Sequence, residues 1–257
     1  MYLLLSPAKN LNEKDTAPKP ATGKPVLLEQ SATIAHALKK LDAIDIQELM
    51  SVSAKIAETN VLRNQAWQVN FDDSAKPAVY LFDGDAYKGL DAYALPDTAI
   101  NYLQSHLGML SGLYGLVKPL DAIMPYRLEM GTKLAVGDKK DLYDFWGDAI
   151  ANTINENMAN ADSKVLVNLA SNEYFKAVNT KKIPHPIITP KFLDQKNGDY
   201  KMISFFAKRA RGLMVRFAAM NTLADANDLK AFNLEGYYFD EKRSSDKEWV
   251  FLRDEAQ

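Results

Sequence analysis

Three short apolar runs, Tyr2–Leu5, Pro77–Phe82 and Lys164–Ala170, set the terms on which this chain can fold. The first stops at Ser6-Pro7 and the second at Asp83-Gly84-Asp85. A strand that is apolar on both faces needs cover on both sides, which predicts a sheet sandwiched between helices. Helix-like spacing at Val26–Leu41, Ile46–Val69, Asp97–His106, Leu142–Met158 and Ala207–Leu223 supplies that cover, and Asp141 is placed to cap the fourth. Asn197-Gly198 predicts a hairpin turn between strands near Ile187–Leu193 and Tyr200–Phe206. A last antiparallel pair, Tyr237–Asp240 and Trp249–Arg253, flanks a polar turn at Arg243–Asp246. Residues 12–25, with prolines at 18, 20 and 25, read as an exposed loop. No repeat, low-complexity tract or linker divides the chain. The expectation is one α/β domain over residues 1–257 with a mixed, α+β-like sheet.

The chain has no cysteine, and its three histidines, His36, His106 and His185, are far apart in sequence. A disulfide framework, a thiol nucleophile, a thiolate zinc site and an iron–sulfur cluster are excluded. Neither a metal nor another cofactor is expected. No segment approaches the ~18 apolar residues of a membrane span. Met1–Ser6 is too short for a signal sequence and has no basic residues before it, so the expected location is cytoplasmic. Walker A, G-x-G-x-x-G, G-x-S-x-G and H-E-x-x-H patterns are absent.

The formal net charge of −2 is unevenly distributed. Residues 1–163 hold 15 Lys and Arg against 21 Asp and Glu, and residues 218–257 hold 5 against 9. Residues 164–217 reverse this, with 11 against 3. A basic block in an acidic protein can bind a polyanion locally; it can equally be a solvated face paired with acids from elsewhere in the fold.

Four clusters carry candidate chemistry. Lys9 follows the first strand, where ligands gather in open α/β sheets, and can serve as an anion clamp or an amine nucleophile. Asp83 and Asp85 follow the second run, where they can act as acid/base groups or as an Asx-turn and helix cap. Gly112 and Gly115 suggest a tight hairpin whose backbone N–H groups could meet a phosphate, a loose match to a helix–hairpin–helix turn and equally a structural turn. In Ala207–Phe217, at ~100° per residue, Lys208, Arg209, Arg211 and Arg216 fall within an arc of about 160° opposite Leu213, Met214 and Phe217. Only Val215 is on the wrong side of that wheel. No acid lies between Asp199 and Asp225, so the helix cannot neutralise itself locally.

These clusters resemble the YaaA family of bacterial peroxide-stress proteins. The matching stretches are Leu5–Lys9, Asp83–Asp85 with Tyr87, Met109–Gly115, Lys118–Asp121, Pro125–Gly131, Leu142–Gly147, Asn168–Phe175 and Ala207–Phe217. The resemblance implies a cytoplasmic protein of the oxidative-stress response that helps limit iron-dependent damage to DNA. It also implies an α/β domain with a positive cleft, a helix–hairpin–helix-like element and affinity for DNA. It establishes no catalytic activity.

The leading expectation is a DNA-binding stress protein. Lys208, Arg209, Arg211 and Arg216 would neutralise phosphates, with Lys181, Lys182 and Lys191 as a second rim and the Gly112–Gly115 turn as a backbone donor. Tyr87, Tyr114, Tyr126 and Trp146 are candidates either to stack on an unpaired base or to pack in the core. The alternative is a glycosylase- or lyase-like enzyme acting on DNA or a nucleotide-like substrate, with Lys9 as nucleophile or clamp, Asp83 or Asp85 as acid/base and Arg127 holding a phosphate. Neither a membrane nor a protein partner is expected.

Overall fold

The computed structural model describes residues 1–71 and 74–255. The strands are β1 (Tyr2–Leu5), β2 (Asn10–Leu11), β3 (Lys76–Pro77), β4 (Phe82–Asp83), β5 (Leu107–Ser111), β6 (Gly115–Val117), β7 (Ala122–Ile123), β8 (Leu166–Leu169), β9 (Ile187–Lys196), β10 (Asp199–Lys201), β11 (Tyr237–Asp240) and β12 (Glu248–Arg253). The helices are α1 (Leu28–Leu38), α2 (Ala43–Met50), α3 (Ala54–Ala66), α4 (Ala78–Leu81), α5 (Asp85–Leu90), α6 (Asp97–His106), α7 (Leu142–Trp146), α8 (Ala149–Asn160), α9 (Asn172–Phe175) and α10 (Ser204–Met220).

The architecture is mixed α/β. An eight-stranded sheet runs in the order β11-β12-β9-β8-β1-β5-β6, with β10 paired to β9. The central pairings β12–β9, β9–β8, β8–β1 and β1–β5 are parallel, while β5–β6, β9–β10 and β11–β12 are antiparallel. All residues of β1, β5 and β8 are buried, as expected of strands covered by helices on both faces. The turn between β9 and β10 places both Asn197 (φ 56°) and Gly198 (φ 83°) in the left-handed region that a two-residue hairpin demands.

Three sequence expectations are corrected. The run at 77–82 is not a strand of the central sheet. Ala78–Leu81 form one buried helical turn, and Phe82–Asp83 pair only with β2. An apolar run without periodicity satisfies burial in either conformation. The predicted helix over 46–69 divides into α2 and α3, because Ser51 closes α2 in the left-handed region (φ 51°). The helix over 142–158 likewise breaks into α7 and α8 at Gly147 (φ 46°).

Helix α10 packs chiefly along α5, and two glycines bring their backbones together. A Cβ on Gly212 would lie 1.7 Å from the Ala86 carbonyl oxygen, and one on Gly89 would lie 2.2 Å from that of Arg209. At the far end of α5, Arg216 Nη1 donates to the carbonyls of Leu90 (3.0 Å) and Asp91 (3.1 Å), capping the short helix. This crossing fixes the position of the α10 cations relative to the Asp83–Lys88 turn.

Candidate functional site

A cleft of about 420 Å³ opens beyond the carboxyl ends of β1 and β8. Its walls are the loop after β1, the turn from β4 into α5, the start of α9 and one side of α10. The wall elements are fastened to one another. The Tyr87 hydroxyl donates to the Ser6 carbonyl (2.9 Å), and the Ser171 N–H donates to Ser6 Oγ (2.8 Å). Asn10 pairs with Asp83 in the β2–β4 ladder. Gly84 keeps the turn close to the loop, since a Cβ there would stand 3.1 Å from Ala8 Cβ.

Of the sequence-predicted residues, the cleft gathers Lys9, Asp83, Asp85, Tyr87, Lys208 and Arg211. Lys9 and Asp83 line the same cleft, though by another route than two neighbouring central strands: the short β2–β4 ladder sets Lys9 one residue from the partner of Asp83. Arg127 does not face the aspartates. It lines a small adjoining recess with Lys9, Glu129 and Tyr174. There Glu129 Oε1 accepts from both Lys9 Nζ (3.0 Å) and Arg127 Nη2 (2.9 Å), and Arg127 Nε is buried with no partner among the described residues. The Lys9 side chain is 62% exposed and ion-paired, a setting that suits an anion clamp. Glu129 is the functional candidate that sequence reasoning did not single out. Its one visible signal is the alternation of opposite charges in Arg127-Leu128-Glu129.

The basic helix is divided in its use. Arg209 is bound to Glu235, with Nε 2.9 Å and Nη2 2.6 Å from Oε1, and this pairing raises its pKa. Arg216 caps α5 and pairs with the Asp91 carboxylate at 3.4 Å. These two do not present unengaged cations, because neutralising acids arrive from distant parts of the chain. Val215, which the helical wheel puts outward, is fully buried, so α10 is enclosed on more than its apolar stripe. Arg211 is half-buried in the cleft, and burial lowers its pKa. Among the described residues, no hydrogen bond or ion pair reaches the side chains of Arg211, Lys208 or Lys88.

The remaining candidates lie outside the cleft lining. Gly112 and Gly115 are buried in the β5–β6 hairpin, joining strands rather than helices. A Cβ on Gly112 would stand 2.4 Å from the Leu128 carbonyl, and Gly115 (φ 68°) packs against Leu27 and Trp146. No phosphate can approach that turn. Lys182 pairs with Asp148 (3.3 Å) and Lys191 with Glu248 (2.7 Å), while Lys181 is exposed beside Lys182. Tyr114, Tyr126 and Trp146 are core residues. Tyr114 accepts from Trp67 Nε1 (2.9 Å), Tyr126 bonds Ser111 Oγ (2.6 Å) and Trp146 donates to the Gly112 carbonyl (3.0 Å). Among the described residues, no group of three or more His, Asp or Glu is arranged to hold a metal ion, and no helix is long and apolar enough to cross a membrane.

Fold and site together define a mixed α/β protein with a polar, ligand-sized cleft beyond the carboxyl ends of its central parallel strands. A protein family described as peroxide stress protein YaaA matches residues 1–243, and the chain belongs to that family. A UPF0246 protein of Psychrobacter cryohalolentis is 56% identical over 265 residues, spanning 100% of this chain and 99% of its own. A UPF0246 protein of Neisseria gonorrhoeae is 54% identical over 256 residues, spanning 99% of each. Family membership supports a role in the response to peroxide stress.

Proposed function

We propose that this peroxide-stress protein acts in the cytoplasm by binding DNA through the cleft, and so helps limit iron-dependent peroxide damage to it. The observation that carries the reading is the trio Lys88 on α5 and Lys208 and Arg211 on α10, all lining the cleft and none engaged by an acid among the described residues. Removing a cation from water without an ionic partner is costly, so a half-buried Arg211 without one is a standing demand for an anion. Phosphate matches the planar donor fork of a guanidinium. Lys9, held by Glu129, adds a fourth cation at the rim.

The test is duplex binding measured from low to moderate salt for the parent and for Lys208→Ala with Arg211→Gln. The double variant should bind more weakly. Its log affinity should depend less steeply on log salt, by roughly 0.9 per lost phosphate contact. Equal slopes in parent and variant would overturn the reading.

A further inference from the structure

Seven ionic side chains line this one cleft: Lys9 is paired with Glu129 and Glu173 accepts from the Gly131 N–H, while among the described residues Asp83, Asp85, Lys88, Lys208 and Arg211 make no hydrogen bond or ion pair. Opposite charges that share a small cavity ordinarily close on each other, as Lys9 and Arg127 do on Glu129 and Arg209 does on Glu235. Here the acids stand on the β4–α5 turn and two of the cations on α10, and the glycine crossing of α5 on α10 holds the two elements in fixed relation.

A guanidinium and an ammonium only donate, and a carboxylate only accepts. A ligand that satisfies these five groups therefore carries both an anion and paired N–H donors. The volume of about 420 Å³ lies in the range that encloses a small molecule such as a nucleotide, so a DNA strand passing over the cleft would place one nucleotide inside it while the rest of the duplex stays outside. Among the bases, guanine alone sets two N–H donors side by side on its Watson–Crick edge, N1–H and N2–H. Adenine and cytosine set a donor beside an acceptor there, which an acceptor-only carboxylate reads poorly.

We propose that the cleft holds a single guanine nucleotide, its phosphate on Arg211 and Lys208 and its N1–H and N2–H groups on Asp83 or Asp85. The proposal rests on the reading of the cleft as a nucleic-acid site and names the unit it takes. A free guanine mononucleotide and an unpaired guanine in DNA present the same chemistry. The second source requires the base to leave its stack, as it does in proteins that read extruded nucleotides.

Titration calorimetry with the full-length protein decides the matter. The ligands are GMP, AMP, guanosine, inorganic phosphate and two otherwise identical duplexes with one unpaired guanine or adenine. GMP should bind about tenfold or more tightly than AMP and than guanosine, since one charge-assisted hydrogen bond is of that order. Arg211→Gln should weaken GMP and phosphate alike. Asp83→Asn with Asp85→Asn gives the sharpest reading, because removing two negative charges strengthens the binding of any anion by simple electrostatics. The proposal requires the opposite for GMP, at least a tenfold loss, while phosphate binds as well or better. Equal affinity for GMP and AMP, or tighter GMP binding by the aspartate variant, would overturn it. Should that variant melt far below the parent, the comparison of GMP with AMP on the parent decides alone. The duplexes separate the sources: a preference for unpaired guanine places the nucleotide in DNA, and GMP binding without that preference places it free in solution. If no mononucleotide binds and the two duplexes bind equally, the proposal fails while the DNA-binding reading stands. If no duplex binds but GMP does, the DNA-binding reading fails and the nucleotide site remains.

Discussion

Replacing Gly212 by alanine tests whether the α5–α10 crossing holds the cleft together. The added methyl would lie 1.7 Å from the Ala86 carbonyl oxygen, 2.6 Å from its carbon and 2.8 Å from the Leu90 nitrogen. All three are backbone atoms, so no side chain can swing aside. Restoring a normal contact requires α5 to retreat by on the order of 1.5 Å, and overpacking of this kind costs about 3 kcal/mol or more. Alanine returns about 1 kcal/mol through its better helix propensity. The net loss is about 2–4 kcal/mol, or roughly 5–15 °C in thermal midpoint for a chain of this size. The retreat also carries Asp85 and Lys88 away from Lys208 and Arg211, so ligand affinity should fall even at temperatures where the variant is fully folded. Thermal melts and urea titrations measure the first effect, and binding at 10–15 °C the second. Gly23→Ala is the control, because its Cβ would meet only Asp121 Oδ1, at 3.6 Å. A Gly212→Ala midpoint within about 1 °C of the parent would show that the two helices are not packed backbone to backbone.

Arg216→Met should lower the thermal midpoint by roughly 2–6 °C through loss of the cap on α5, yet leave the salt dependence of duplex binding unchanged, since this guanidinium is committed to Leu90 and Asp91. Asp121 is 5% exposed and accepts from the Lys118 N–H at 2.8 Å; burial raises its pKa to about 6. The unfolded chain ionises this carboxyl near pH 3.8 and the folded chain near 6, so the contribution of this one group to stability is greatest below pH 4 and falls by about 3 kcal/mol as pH rises to 6. Asp121→Asn should flatten that fall in urea titrations between pH 4 and 7, and an unchanged slope would refute the assignment.

The readability of the sequence varied with the range of the forces involved. The span of α6 and the Asn197-Gly198 hairpin were legible because propensity and turn chemistry act within a few residues. The central strands at 2–5 and 166–169 were legible from apolar content alone, but the same signal at 77–82 concealed a turn of helix. The angular separation of Lys208 and Arg211 from the apolar side of α10 could be worked out on a helical wheel. The engagement of their neighbours could not: Glu235 lies 26 residues from Arg209 and Leu90 lies 126 from Arg216. Glu129 was hidden for the same reason, because its importance comes from Lys9, which the fold brings to it from the other end of a long loop-rich path.

The place of β1 in the sheet bears on how the chain is made. Leu5 is aligned with Met109 on one side and Leu169 on the other, so the central strand precedes both of its neighbours in synthesis. At translation rates of roughly 5–20 residues per second, the run Tyr2-Leu-Leu-Leu5 waits on the order of ten to thirty seconds for its second partner to leave the ribosome. Throughout that interval the edge that will face β8 is unpaired and apolar, the kind of segment that chaperones bind and that aggregates without them. Pairing across so many residues also makes refolding slow, whatever the final stability. A dilution-refolding yield that drops steeply with protein concentration is the behaviour this topology dictates.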